Sequence, residues 1–470
     1  MNIAEFTAWH WLVLVQHEML LFAGIFFLVG SIDEILVDCS WLWLKLTGRL
    51  REPPACSEAR SDEPLTGPGA VFIPTWQEAA VIGATVNHAL EVWRQHELTI
   101  YVGCYRNDGA TIGALLGAVQ TDARVRLVVH DVAGPTTKAD CLNRLYRALC
   151  LDESRLGRSA RMVVLHDAED MVDPAALVLL DQALNGAELA QIPVLPMPQA
   201  GSRWIGSHYC EEFAEAHGKA MVVRDALGAG IPLAGVGCAI ARAALERLAE
   251  RDPSGTPFAA DCLTEDYELG LSVADWGGRA RFLRYRHPDG SLVATRAFFP
   301  SELETAVRQK TRWIHGIAFQ AWDRLGWRSR PAEVWMRMRD RRGPLAAFVL
   351  SMAYALLIVS TIVWVLGGLG FGAPIETSPA LEIVLWLNFA SLAWRIVWRF
   401  GFTAREYGWA EGLRSILRIP VTNIIAIMAG RRAVLAYIRS LRGWAPTWDK
   451  TEHRYHPARS VTMQRTATAS

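Results

Sequence analysis

No charged residue occurs between Pro344 and Gly370. About 20 apolar residues are enough to cross a bilayer as a helix, so this stretch constrains the chain more than any other feature. Leu381 to Phe402 is a second apolar segment, with Arg395 and Arg399 near its end. Between the two, Gly372 to Ala380 carries one Glu and no basic residue, whereas Arg405, Arg414 and Arg418 follow the second segment. Basic residues collect on the cytoplasmic side, so the short loop is expected outside and the arginines inside. Ile419 to Met428 is apolar but too short to span, and Arg431-Arg432 follow it. It is expected as an interfacial or re-entrant helix, or as part of a third span.

Residues 9–46 form a further apolar block, and Trp11 to Ile32 is long enough to cross. His17, Glu18, Asp33 and Glu34 interrupt it. A carboxylate at mid-membrane costs roughly 2.5–3.5 kcal/mol, which places these groups near interfaces or against other helices. One long tilted helix through Trp43 fits better than two spans, each of which would be too short. Lys45 is the first Lys or Arg, and Arg49 and Arg51 follow, so the carboxyl side of this helix is expected in the cytoplasm. A secretory signal peptide is not expected, because the start lacks a basic region and a clear cleavage site. With 51% hydrophobic and 20% charged residues among 470, one large soluble domain plus membrane spans is the expected class. Zero net charge gives no case for a nucleic-acid partner. The eight cysteines have neither zinc-type nor redox-type spacing, and read as reduced, packed thiols.

The middle of the chain alternates. Residues 51–68, rich in Pro, Ser, Glu and Gly, read as a linker. Ala70 to Pro74, Leu98 to Cys104, Val125 to Val129 and Met162 to Leu165 read as strands. Residues 77–94 and Lys138 to Cys150 read as helices. Strands alternating with helices predict an α/β domain with a parallel sheet covered on both faces, whose ligands bind beyond the carboxyl ends of the strands. Residues 300–340 interleave Arg308, Arg312, Trp313, Trp322, Trp327 and Trp335, which suits helices at a membrane surface. The expected organisation is a transmembrane helix (1–46), a linker (47–69), the α/β domain (70–298), interfacial helices (299–343), transmembrane and interfacial helices (344–440) and a polar cytoplasmic tail (441–470), loose from Thr451 onward.

Acidic residues fall where such a sheet binds ligands. Asp167-Ala168-Glu169-Asp170 follows a strand, and two carboxylates one residue apart can share a divalent cation with substrate phosphates. The plain alternative is an acidic loop before a helix, with Asp173 capping that helix and Pro174 at its first position. Thr264-Glu265-Asp266 precedes a helix at 267–276. Either it is ordinary first-turn chemistry, or Asp266 is a general base for an acceptor hydroxyl. Gln309, Arg312 and Trp313 share one helix face by their spacing. Arg can fork onto a diphosphate, Gln can bond hydroxyls and Trp offers a flat face to a sugar. A surface helix with a buried Trp has the same pattern. Thr75 and Glu78 end the first strand, and either bond a nucleoside or cap the next helix. Asp108 ends the second strand in the same way. Lys138 opens a helix against its dipole, which favours a phosphate partner. Gly235-Val236-Gly237 is a small-residue loop that can pass close to an acceptor.

Taken in order, Asp108, Asp167-Ala168-Glu169-Asp170, Thr264-Glu265-Asp266 and Gln309-Lys310-Thr311-Arg312-Trp313 resemble the membrane-embedded family 2 glycosyltransferases, which include cellulose, chitin and hyaluronan synthases. Pro135-Thr136-Thr137-Lys138-Ala139-Asp140-Cys141-Leu142-Asn143, His166 to Asp170 and Trp448 to His453 are similar to the bacterial inner-membrane phage-adsorption protein B group. The resemblance implies a GT-A fold and an inverting transfer from a UDP-linked sugar to a growing surface polysaccharide, of the kind a phage uses as receptor. It implies that Asp108 contacts the base and that Asp167 and Glu169 sit at Mg²⁺ or Mn²⁺ and the diphosphate. Glu265 is implied beside the substrate, Asp266 as the base, and Gln309, Arg312 and Trp313 at the diphosphate and acceptor end. Glu169 stands where many relatives carry Asp, and its longer arm makes ligation less assured than for Asp167. Longer members of the group carry a cyclic-di-GMP-sensing domain, and none is visible here. The partners implied are the donor, a glycan acceptor and membrane lipid, with an outer-membrane export partner or a second copy to complete a pore. Two other readings are a single-addition enzyme that loads one sugar onto a lipid phosphate, and a non-catalytic scaffold of an export or phage-adsorption complex.

Overall fold

Gly69–Pro74 has no exposed residue, as a continuous apolar run requires of a strand covered on both faces. The computed structural model describes residues 7–50, 63–119, 122–328, 330–372, 377–443 and 456–458. In it Gly69–Pro74 is β1, near the middle of a seven-stranded sheet ordered β3-β2-β1-β4-β7-β5-β8. The other strands of this sheet are β2 (Leu98–Tyr105), β3 (Val125–His130), β4 (Met162–Leu165), β5 (Leu189–Gln191), β7 (Cys238–Ala241) and β8 (Ala280–Phe282). β6 (Val194–Pro196) and β9 (Thr295–Ala297) pair separately. The sheet is mixed rather than wholly parallel, because β7 runs antiparallel to both β4 and β5. The strand order turns at β1 and β4, which opens a crevice at their carboxyl ends.

Helices cover both faces. In chain order they are α1 (Ala8–Leu46), α2 (Ile82–Val92), α3 (Gly109–Val119), α4 (Lys138–Leu156), α5 (Ala176–Ala183), α6 (His208–Glu215), α7 (Met221–Ala226), α8 (Arg242–Arg251), α9 (Glu265–Asp275) and α10 (Leu303–Ile314). After them come α11 (Ala321–Leu325), α12 (Pro331–Arg341), α13 (Gly343–Gly368), α14 (Pro379–Tyr407), α15 (Trp409–Leu417) and α16 (Ile419–Ser440). One-turn π-helices at Ala216–Ala220 and His315–Gln320 follow α6 and α10. Val71, Ile73, Ile100, Val102 and Val164 pack under α2 and α5, while Phe72, Tyr101, Val163 and Leu165 pack under α4 and α8. Asp173 does not cap α5, which starts at Ala176 after Ala175. Its carboxylate instead accepts from the Ala175 N–H at 3.0 Å and pairs with His287 and Arg296. The described cysteines are free thiols, and all but Cys39 and Cys150 are buried.

Among the described residues, α1, α13, α14 and α16 are long and apolar enough to cross a membrane. The segment read as ending at Met428 continues for 22 residues, through Arg431-Arg432 to Ser440. An Arg stem can follow an apolar helix while its head reaches out. Arg432 does so and forks onto Glu304 of α10 at 2.6 and 3.0 Å. Of the carboxylates that interrupt α1, Glu18 is exposed, whereas Asp33 and Glu34 face protein. Asp33 accepts from the Trp335 indole N–H at 2.6 Å and pairs with Arg339 and Arg342, Glu34 pairs with the same two arginines, and Asp38 lies 2.6 Å from Lys219. A second tie joins α6 to the last helices. Glu211 and Arg418 are fully buried and fork together at 2.7 and 3.0 Å, with Arg399 also on Glu211 and Glu411 on Arg418. The tail expected to be loose is in part docked, since His456 is buried. The Trp448 to His453 stretch lies outside the described residues.

Candidate active site

β4 ends at Leu165, and the next turn carries the acidic loop to the crevice. α4 begins at Lys138, and Thr137 caps it by accepting from the Asp140 N–H at 3.1 Å. α9 begins at Glu265, so Glu265 and Asp266 occupy its first turn, where the helix dipole favours anions. α10 carries Gln309, Arg312 and Trp313 toward the same place. Lys138, Asp167, Glu169, Glu265, Asp266, Gln309, Arg312 and Trp313 all line one cavity of about 680 Å³. Segments more than a hundred residues apart in sequence therefore meet in a single cleft.

Charges in this cleft are paired closely. The Lys138 ammonium lies 2.7 Å from Asp167 Oδ1 and 3.8 Å from Glu265 Oε1. Burial opposes its charge, but Asp167, Glu265 and Asp266 outweigh burial and hold Lys138 above the usual lysine range. Burial pushes the Glu265 carboxyl up to about 7 against the pull of Lys138, and it also raises Asp266. Asp266 Oδ1 accepts from the Tyr267 N–H at 2.8 Å, which fixes how the carboxylate faces the cavity. Arg312 makes no hydrogen bond or ion pair with another described residue, so its forked donors are free for a ligand. Trp313 is held edge-on by Tyr209, Phe213 and Phe299 at centroid distances of 6.1, 6.3 and 6.5 Å. The side-chain oxygen of Gln309 is buried with no partner among the described residues, as is the Thr264 hydroxyl, which caps nothing.

The acidic loop divides its labour. Asp170 is buried, and its Oδ2 accepts from the Asp167 N–H and contacts the His166 ring Nδ1, each at 2.9 Å. It braces the turn that presents Asp167 and Glu169. His456 clasps the same turn from the tail, with its Nε2 3.0 Å from the Asp170 carbonyl oxygen. No group of three or more His, Cys, Asp or Glu among the described residues is arranged as a closed metal cage. Two oxygen donors on one turn suit a hard cation that completes its shell with phosphates and water.

Thr75, Glu78 and Asp108 are not among the residues lining the cavity. They sit together at the carboxyl ends of β1 and β2. The Thr75 hydroxyl donates to the Gly103 carbonyl at 2.7 Å, and the Glu78 N–H donates to the Thr111 hydroxyl at 2.9 Å. Asp108 accepts from the Gln77 N–H at 2.6 Å and from the Thr111 N–H at 3.3 Å. Gln77 has φ 54°, the one left-handed non-glycine among the described residues, and Asp108 holds that strained loop in place.

Gly235 belongs to the site although its sequence context is generic. Its φ is +75°, and a Cβ there would lie 2.5 Å from Asp266 Oδ2 and 3.2 Å from Lys138 Nζ. A positive-φ glycine in a Gly-x-Gly turn is the signal that pointed to it. Gly235→Ala is expected to displace the Asp266 carboxylate and cut activity by at least about 100-fold, since a 1 Å misplacement can cost that much. Steady-state rates of the variant at unchanged thermal midpoint check this, and a wild-type rate would show that the loop does not confine Asp266.

A family model described as glycosyltransferase-like family 2 matches residues 67–316, a stretch that runs from β1 past Trp313. The chain belongs to this family. It is 32% identical over 469 residues to Bacteriophage adsorption protein B of Escherichia coli, covering 95% of this chain and 63% of the relative. A second Escherichia coli adsorption protein B matches to the same extent. The chain thus spans less than two thirds of the length of these curated relatives. Among solved structures, a mannosyltransferase from Pyrobaculum calidifontis, in complex with GDP-Man and Mn²⁺, superposes with a TM-score of 0.52 at 17% identity, over 84% of this chain and 99% of that one. The likeness establishes a GT-A fold for this family 2 member. The four described helices long and apolar enough to cross a membrane, α1, α13, α14 and α16, flank that fold in sequence.

Proposed function

We propose that this chain is an inner-membrane inverting glycosyltransferase that extends a surface polysaccharide from a nucleotide-sugar donor. The observation that carries the reading is the Arg312 guanidinium, which makes no hydrogen bond or ion pair with another described residue, in the cavity that also holds Lys138, Asp167 and Asp266. A cavity that holds a forked guanidinium and a carboxylate together suits a diphosphate and an acceptor hydroxyl side by side. Asp266 takes the proton of the acceptor hydroxyl as its oxygen bonds to the sugar carbon. The bond from that carbon to the diphosphate oxygen breaks, and Lys138 and Arg312 hold the departing anion. Asp167 and Glu169 would hold Mg²⁺ or Mn²⁺, and such a cation offsets charge on the diphosphate. The archaeal mannosyltransferase of similar fold was solved with Mn²⁺ and GDP-Man, which supports this assignment. Thr75, Glu78 and Asp108 are assigned to the nucleoside side, at the neighbouring strand ends. Gln309 and Trp313, with the aromatic wall of Phe213 and Phe299, are assigned to the acceptor end.

The arginines that follow α14 and end α16 support a catalytic domain on the cytoplasmic side. The relatives' name supports a link to phage adsorption. The test is a panel of radiolabelled nucleotide sugars offered with Mn²⁺ to membranes containing the protein. Labelled polymer is expected with one donor. A product of one sugar on lipid would favour the single-addition reading, and no incorporation from any donor would leave the scaffold reading standing.

A further inference from the structure

Asp266 is fixed by its neighbour, and its neighbour is fixed from outside the catalytic fold. The Tyr267 N–H holds Asp266 Oδ1 at 2.8 Å. The Tyr267 side chain is buried, and its hydroxyl donates to Asp340 Oδ2 at 2.9 Å. Asp340 belongs to α12 and lines the same cavity as Asp266. Both of its oxygens also accept from the buried Arg224, at 2.8 and 3.0 Å. α12 grips the opposite end of α9 as well, through the ion pair of Arg337 with Asp275. Its other face is fastened to α1, by the Trp335 indole on Asp33 and by Arg339 on Glu34 at 3.1 Å. α12 therefore lies as a brace between α1 and the helix whose first turn carries Asp266.

We propose that Asp340 is a positioning residue: by holding Tyr267 and Arg224 it sets the register of the first turn of α9, and so the place of Asp266 relative to Arg312 and the acceptor. The inference rests on the reading of Asp266 as the base. A carboxylate shared between a phenol and a guanidinium is directional at both contacts, which a hydrophobic contact is not. Losing one contact lets the first turn shift without unfolding the domain. Proton transfer is sensitive to such a shift, whereas donor binding depends on Lys138, Arg312 and the acidic loop, and Lys138 keeps its closer partner Asp167 at 2.7 Å when the first turn of α9 moves.

Tyr267→Phe removes one hydroxyl and keeps the ring, and Asp340→Asn keeps the shape and removes the charge. In both, kcat is expected to fall about 10- to 100-fold with the donor KM within about twofold. Asp340→Glu is expected to restore part of the rate. Hydrogen–deuterium exchange of residues 263–270 is expected to rise in both variants, at an unchanged thermal midpoint. This second readout needs no turnover, so it reports on the brace even if no sugar is transferred. Exchange at the wild-type level in Tyr267→Phe would overturn the proposal, and so would equal losses in kcat and donor binding. Asp266→Asn in the same assays addresses the base separately: full turnover there would sink the catalytic reading, while the exchange result on the brace would stand or fall by itself.

Discussion

Asp266→Asn is expected to lower the rate of sugar transfer by about 10²–10⁴-fold, the usual worth of a general base. The substitution keeps the Tyr267 N–H contact available, because the Asn side-chain oxygen accepts as the carboxylate did. It removes one negative charge from a cavity that must receive a polyanion. Affinity for a nucleoside diphosphate should therefore hold or tighten while turnover collapses. That sign separates the base from the binding residues. Arg312→Ala is the contrast, since it takes a forked donor out of the cavity and should weaken binding itself. Rates with a saturating labelled donor, set beside calorimetric affinities, give both quantities. An Asn variant that turns over at more than half the wild-type rate would remove Asp266 from the mechanism.

The second large effect concerns the tie between domain and membrane helices. Arg418→Met is expected to destabilise the protein by roughly 3–5 kcal/mol, because it strips a donor from buried carboxylates instead of replacing the whole network. Arg418 is wholly buried and serves Glu211, Glu411 and the Arg203 carbonyl. Without it Glu211 keeps, among the described cationic side chains, Arg399 at 2.9 Å. Adding Glu211→Gln to Arg418→Met should recover part of the loss, since the stranded charge is then gone. Thermal unfolding in detergent measures both variants. A single variant as stable as the parent would mean that the network sets register without contributing stability.

Local patterns carried much of this architecture. The apolar runs at Ala70, Leu98, Val125 and Met162 could only be strands of a covered sheet, and the acidic residues after them had to fall at strand ends. The one-face spacing of Gln309, Arg312 and Trp313 held because α10 is regular through that stretch. What failed to show depended on partners far away in sequence. Arg431-Arg432 looked like a stop because the sequence does not reveal Glu304 as the partner of Arg432. β7 could not be known to run antiparallel, since its direction is set by a long detour through α6 and α7. The bond from the Thr75 hydroxyl to the Gly103 carbonyl could not be read either, since it joins neighbouring strands. Asp340 and His456 lie in segments with no motif, and each reaches the site only through tertiary packing.

The most direct measurement is a structure of the full chain solved with Mn²⁺ and the nucleoside diphosphate of its donor. The account predicts the diphosphate between Lys138 and Arg312, the cation on Asp167 and Glu169, and the Asp266 carboxylate facing the opposite, acceptor side. A diphosphate bound outside this cavity, with Arg312 still free, would contradict it.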